Sequence, residues 1–424
     1  MNSKLKIKKN NIVTIVTILL MIFSLLTPYN KYLSIIYQIT VAAFIVLYCK
    51  STSYALMPIL VLSTTRTYIS ISTSDQIVNY YGLNGTILTL ILIALLLFKL
   101  KENDFKLKIY RGSESLILFS ILMLISSVWA INTYEYTDYY KSICIIYLLV
   151  PFLIESEDDI KFSKFMYIIS GLFLGITIVP HILLKGTIYE SSVVVDRNYQ
   201  SCFVILCLLQ NIIYLTDYKK EIRLMNKLIY ISVILMDLYL IITSASRSAI
   251  ISLVIAVLVF LLINHKDLKK IFVFFIVLSI ILFYAYDLHL LDFILERFEL
   301  DNVVDGNGRT LIWDLYLKGF SKGNLLNLIF GHGLVGQTFY GKPAHNIFIS
   351  ILYSYGLLGI ILFTKFILNI IFNLVSSKRF NEFILMIPIF FMCCTVEPYY
   401  RVEFALYLPL ILGISNYYRR NCNG

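Results

Sequence analysis

Charge is what this sequence has least of. Asp, Glu, Lys and Arg make up 15% of its 424 residues, where an average soluble domain carries about 25%. A chain so poor in charge cannot cover a water-facing surface, which excludes an ordinary soluble fold. Proline occurs eight times and tryptophan twice, and no internal repeat, low-complexity linker or soluble domain breaks the chain. No Walker motif and no dinucleotide fingerprint is present, so neither ATP nor a nicotinamide is an expected partner. No external segment offers an Asp-x-Asp pair or histidines at helical ligand spacing, and the run Glu157-Asp158-Asp159, on the cytoplasmic side, reads as a solvated loop, so no metal and no other cofactor is expected.

What the chain has in excess is apolar sequence. It is 59% hydrophobic, with runs such as Ile87 to Leu97, Ile250 to Ile263 and Ile271 to Tyr284. A membrane span needs about 20 mostly apolar residues. About 14 candidate spans follow, at roughly 11–28, 32–49, 54–71, 84–99, 115–131, 142–154, 165–184, 199–216, 228–244, 248–264, 271–287, 346–376, 383–396 and 402–417. The third and sixth are the weakest, which makes about 12 the alternative count. The expectation is an all-α polytopic membrane protein of about 12–14 transmembrane helices, residues 1–424 forming one integral membrane domain. The first span has a basic lead but no small-residue cleavage site behind it, so it reads as a retained span.

Basic residues set the expected orientation. With the N-terminus inside, internal segments gather clusters such as Lys4-Lys6-Lys8-Lys9, Lys99 to Arg111, Lys219 to Lys227 and Lys266 to Lys270. They hold about twice as many Lys and Arg as the external segments. Both termini then lie in the cytoplasm, and the protein is a multi-pass protein of the cell membrane. The net charge of +10 reflects anchoring against anionic membrane lipid rather than nucleic acid. None of the seven cysteines falls in an external loop under this topology, so no disulfide framework is expected.

One external loop is long, residues 288–345. It opens on an amphipathic stretch from Leu290 to Phe298, turns at Asp305-Gly306-Asn307-Gly308, and continues with Ile312, Trp313, Tyr316, Leu317 and Phe320 on one helical face. Both helices are expected to lie at the membrane surface. The loop closes with Gly331-His332-Gly333 and Pro343-Ala344-His345-Asn346.

Single arginines mark the same face. Arg66, Arg197, Arg247 and Arg401 sit at span ends away from any Lys cluster, where the positive-inside bias disfavours them. Arginine suits bidentate contact with phosphate and keeps its charge, so several converging would hold a diphosphate at headgroup depth. Each has a plainer alternative. Arg247, in the turn Ser244-Ala245-Ser246-Arg247-Ser248, can snorkel to lipid phosphate. Arg309 can simply be solvated, Arg197 can pair with Asp196, and Arg401 can pair with Glu397 or Glu403. His345 stands between the long loop and a span. A neutral imidazole is a competent general base, and His332, flanked by glycines, competes with it for that role.

Taken in order, Gly308-Arg309-Thr310-Leu311-Ile312-Trp313, Phe330-Gly331-His332-Gly333, Ala344-His345-Asn346 and Tyr355-Gly356-Leu357-Leu358-Gly359 resemble the signature of the O-antigen ligase and O-antigen polymerase superfamily. Ser246-Arg247-Ser248 fits the pattern, and Asp196-Arg197-Asn198 fits it less tightly. The resemblance covers residues 240–365. It implies transfer of a glycan carried on undecaprenyl diphosphate, outside the cytoplasmic membrane, without metal or nucleotide. It further implies that Arg197 and Arg247 hold the diphosphate, Arg309 supports them, and His345 activates the acceptor hydroxyl. Asn346, His332, Arg401 and Glu397 are possible supporting residues.

Physical chemistry agrees with that division of labour. The leaving diphosphate gathers charge, which arginine stabilises without a metal, and the incoming hydroxyl must lose a proton, which a neutral histidine accepts. The expected reaction is a polymerase, joining lipid-linked repeat units into O-antigen, capsular or exopolysaccharide. Its rival is a ligase moving the finished glycan to lipid A core or another acceptor, and a third reading is a flippase for the same lipid. Donor and acceptor lipids, membrane lipids, a chain-length regulator and a flippase are the implied partners. Asp237 and Lys365 are also placed inside spans, at about 2.5–3.5 kcal/mol each, and are expected to pair.

Overall fold

The computed structural model describes residues 3–24, 26–27, 31–49, 70–72, 78–80, 83–105, 112–130, 137–185, 197–218, 224–244, 246–263, 308–333, 343–396 and 402–423, with isolated positions at 55, 58, 59, 62 and 222. The expected span 271–287, the amphipathic stretch 290–298, Arg66, Glu397 and Arg401 lie outside the described residues.

The chain is built from helices. Those of the first half are α1 (Ser3–Ser24), α2 (Lys31–Ala43, continued by a π turn Phe44–Cys49), α3 (Gly85–Glu102), α4 (Glu114–Ser126), α5 (Thr137–Leu149, continued by a 3-10 turn Val150–Phe152) and α6 (Glu157–Lys185). Then come α7 (Arg197–Asp217), α8 (Leu224–Ser244) and α9 (Arg247–Ile263). The last are α10 (Arg309–Ser321), α11 (Leu325–Phe330), α12 (Ile347–Ser376), α13 (Phe380–Ile384), α14 (Met386–Thr395) and α15 (Val402–Asn423). A small antiparallel hairpin, Ser70–Ser72 with Val78–Tyr80, is the exception among the described residues. The span expected over 54–71 therefore ends in a strand, as the alternation Ser70-Ile71-Ser72 favours.

Among the described residues, four helices are long and apolar enough to cross a membrane: Tyr32–Cys49, Asn198–Asp217, Lys227–Ser244 and Ile347–Ser376. Five shorter apolar helices accompany them, including Glu114–Ser126 and Arg247–Ile263. This is the architecture of an all-α polytopic membrane protein. Helix α7 sits at its centre, with 78% of its apolar window buried against 28% for α8 and 39% for α12, and it packs on α6, α8, α9 and α14.

The acidic run Glu157-Asp158-Asp159 corrects a sequence expectation of a solvated loop. It is the first turn of α6. Asp159 Oδ2 accepts from the Ser156 amide at 2.9 Å, and the Asp159 amide donates to Ser156 Oγ at 3.3 Å. That is a reciprocal capping box, with its carboxylates at the positive end of the helix dipole.

Side chains tie one end of the bundle together. Lys99 Nζ meets Glu155 Oε1 at 2.8 Å, Arg419 donates to Asn373 Oδ1 at 2.6 Å, and Arg420 donates to the Ile154 carbonyl at 3.4 Å. Lys164, fully buried, binds Asp217 Oδ2 at 2.7 Å and Glu382 Oε1 at 3.1 Å, while the Arg379 guanidinium lies 3.5 Å from the Tyr418 ring centroid. The Tyr218 hydroxyl donates to Glu157 at 3.0 Å; burial first, then the Glu157 charge, pushes that phenol well up and keeps it a donor. These residues belong to loops assigned to one side by their basic residues, and the fold gathers them at one end, here termed the basic end. The opposite end is termed the signature end.

Asp237 and Lys365 do not pair. Asp237 is fully buried in α8, whereas Lys365 is exposed on α12. Spacing along a span fixes depth but not the direction a side chain faces, and these two helices turn the residues to different surroundings.

Candidate active site

The expected span 346–376 is not a straight helix. Gly356 adopts φ +65°, ψ −164° and breaks α12 in two. Fifteen residues of straight helix would separate Phe348 and Phe363 by about 22 Å, yet their ring centroids lie 6.5 Å apart. The arm before Gly356 therefore folds back along the arm after it.

The break explains the glycine spacing. Unwinding at Gly356 frees two carbonyls of the preceding turn. The His332 amide donates to the Tyr353 carbonyl at 2.9 Å, and the Gly333 amide to the Ser354 carbonyl at 3.0 Å. The Gly331-His332-Gly333 loop thus caps the kink. Backbone meets backbone there: a Cβ on Gly331 would overlap Ser354, and a Cβ on Gly356 would overlap Ile329. Both residues also hold positive φ, so glycine is required at each.

His332 is committed to this joint. Its ring stacks on Tyr353 with centroids 4.4 Å apart and planes 7° apart, and Nδ1 lies 3.3 Å from the Tyr353 carbonyl. The arrangement gives His332 a fastening role. Helix α10 docks on the same arm through Tyr316, whose ring meets Tyr353 edge-on at 5.2 Å. Ile312, Tyr316, Ala344 and Tyr353 form one buried cluster with Phe320 and Ile349. Of the face expected from sequence, Leu317 alone is exposed, at 44%.

Helix α10 then positions the histidine. Gly308 precedes it in the left-handed region at φ +73°, and Arg309 is its half-buried first residue. One turn on, Trp313 Nε1 donates to the Ala344 carbonyl at 2.8 Å. His345 follows with φ +52°, a conformation that costs a non-glycine residue about 1–3 kcal/mol. Asn346 closes the segment as the N-cap of α12, its Oδ1 accepting from the Phe348 and Ile349 amides at 3.0 and 3.2 Å. The tryptophan bond before His345 and the asparagine cap after it hold the strained residue. His345 is half-buried, with its Nδ1 buried. Asn346 is a cap, its side-chain oxygen occupied by the helix amides.

A second constellation stands at the signature end. Arg197 opens α7 and Arg247 opens α9. Ser246 Oγ donates to Asn198 Oδ1 at 3.0 Å and lies 3.3 Å from Ser248 Oγ. This bond joins the Arg197-Asn198 and Ser246-Arg247-Ser248 segments and sets two helix N-termini side by side. Unpaired amides and the dipole make such ends favourable for an anion. Helix α14 touches both this pair's helices and the helix that follows the histidine. It packs on α7 and α9 and meets α12 through Phe390 and Phe348, 6.5 Å apart. The structure thus joins Arg247 to the segment of Arg197, and His345 to the helix of Arg309, and α14 contacts both groups. Among the described residues no three His, Cys, Asp or Glu side chains gather as a metal site.

Sequence reading missed two of these joints. The Asn198–Ser246 bond carries no spacing signal, since its partners lie in different turns. The meeting of Gly331 with Gly356 leaves only its glycines as a trace. No curated protein matches the chain. Residues 231–364 match the family model described as O-antigen ligase, nearly the segment that the motifs delimit.

Proposed function

We propose that the protein is a metal-independent glycosyltransferase of the outer face of the cytoplasmic membrane, with the basic end in the cytoplasm. Its donor is a glycan on undecaprenyl diphosphate and its acceptor is the next lipid-linked repeat unit, so the product is a polymer still on lipid diphosphate. The observation that carries this reading is His345, held at positive φ between the Trp313–Ala344 bond and the Asn346 cap. The other described non-glycine residues at positive φ, Asp104, Phe105 and Lys378, follow helix C-termini, whereas His345 stands before a helix N-cap, and strain at such a junction points to function. With Nδ1 buried, Nε2 is the nitrogen that meets the acceptor hydroxyl and takes its proton as the oxygen attacks the anomeric carbon. The bond from that carbon to the diphosphate breaks, and Arg247, Arg197 and the amides of two helix ends receive the developing charge. Arg309 supports the histidine.

The description of the matched family, O-antigen ligase, favours a second reading in which the acceptor is lipid A core. Reconstitution with lipid-linked repeat units separates the two: chain growth on the lipid diphosphate supports a polymerase, and transfer to core supports a ligase. His345→Ala is expected to abolish product while donor binding persists. Arg247→Ala is expected to weaken donor binding about tenfold or more, the loss of one charge-assisted contact. A folded His345→Ala protein with full activity sinks the catalytic assignment.

A further inference from the structure

The bundle buries a carboxyl that the proposed chemistry does not use. Asp237 has 0% exposure, and among the described residues neither of its oxygens has a hydrogen-bond partner. It lies where three helices meet. A Cβ built on Gly171 of α6 would stand 3.0 Å from both Asp237 Oδ1 and the Cβ of Cys207 on α7. One turn along α6, Gly175 faces Met236 in the same way, so the two glycines form a groove into which α8 presses. Among the described residues the Cys207 thiol is the titratable group beside the carboxyl, and no compensating charge stands there. A carboxyl in such surroundings holds a proton. A metal ion would need several oxygen ligands, which a thiol and glycine backbone do not provide.

A line of polar groups leads from this carboxyl to the basic end. Along α7, Cys207, Gln210 and Asn211 are buried and share one side of the helix with Asp217 at its end. Gln210 Nε2 donates to the Tyr407 hydroxyl of α15 at 3.3 Å, and Asn211 Nδ2 donates to the Tyr230 carbonyl at 3.0 Å. Tyr407 is fully buried, its ring edge-on to Tyr167 of α6 with centroids 4.5 Å apart. Glu382 binds Lys164, which binds Asp217, and the Asp217 side chain is 18% exposed. Toward the signature end, buried Phe203 and Val204 interrupt that side of α7 before its next polar residue, Gln200. An ionisable residue inside a membrane bundle marks ion or proton paths.

We propose that Asp237 is a proton-binding site that exchanges with the basic end along the polar side of α7. The inference is independent of the glycosyl-transfer reading. Its test follows the carbonyl stretch of a protonated carboxylic acid by infrared spectroscopy, with the full chain in proteoliposomes of uniform orientation. The wild type is expected to show a band that Asp237→Asn removes and Asp237→Glu displaces, so that the assignment survives if either variant fails to fold. An alkaline jump on the basic-end side is expected to erase the band faster than the same jump on the signature-end side. Tyr407→Phe, which keeps the edge-on contact of that ring with Tyr167 (4.5 Å), is expected to retain the band and slow its loss several-fold. The proposal is overturned if no band depends on Asp237, or if the band ignores jumps from both sides. It is equally overturned by equal rates from the two sides, or by an unchanged rate in Tyr407→Phe.

Discussion

The two ends of the bundle are fastened by different chemistry. At the basic end, charged side chains do the joining: Lys164 holds α7 and α13 to α6 through Asp217 and Glu382, and Arg379 lies on Tyr418. At the signature end the joints are made largely of backbone. Two loop amides fill the carbonyls freed at Gly356, an indole donates to the Ala344 carbonyl, and an asparagine caps α12. None of these named joints at the signature end uses a charged side chain. A buried ion pair, by contrast, is severely destabilised when one partner is removed, which suits an end that only has to stay closed.

The difference predicts where mutations act. The largest effect is expected from Lys164→Met, which leaves two carboxylates facing each other without their cation. Breaking such a pair costs about 3–5 kcal/mol, read as a fall in the unfolding temperature of the whole chain. Adding Asp217→Asn and Glu382→Gln is expected to restore much of it. If Lys164→Met alone leaves the unfolding temperature unchanged, the basic end is not a lock. Gly356→Ala comes next. It places a Cβ in a region of φ and ψ that costs about 1–3 kcal/mol, besides the overlap with Ile329. Its effect is expected to be local. Proteolysis or hydrogen exchange should show residues 325–333 released, and activity should be lost, while the basic end keeps its protection. A uniform loss of protection across both ends would contradict the contrast.

How much of this was legible beforehand differs between the ends in the same way. Composition and the apolar runs gave the polytopic helical class, because lipid demands long apolar helices whatever the packing. The order of Arg309, Trp313, Gly331, His345 and Gly356 was legible too, and the structure gives Trp313, Gly331 and Gly356 backbone joints and places His345 between two held neighbours. What spacing could not supply was direction. Hydropathy read 346–376 as one span because a bent helix and a straight one have the same composition, and it paired Asp237 with Lys365 because depth alone was visible. The acidic turn at Glu157 was misread for the same reason: a capping box and a solvated loop differ only in whether Asp159 folds back on Ser156.

The smallest expected effect tests the signature end most finely. Asn346 can be a cap alone, or a cap that also touches substrate. Asn346→Ala removes a side-chain acceptor from two amides, at about 1 kcal/mol for a cap of this kind. Asn346→Asp keeps the acceptor and adds a charge that the helix N-terminus favours. If the residue only caps, Asp should hold the unfolding temperature and retain most of the turnover, while Ala loses a few degrees and more of its rate, since His345 next to it loses one of its two restraints. If the amide nitrogen also contacts substrate, Asp should fold well and still lose affinity for a diphosphate-linked donor, because its carboxylate would face that anion. Kinetics on the two variants at equal folded concentration decide between these outcomes. A backbone-built site predicts the first, in which the asparagine acts on the reaction only by fixing where the helix, and with it the histidine, begins.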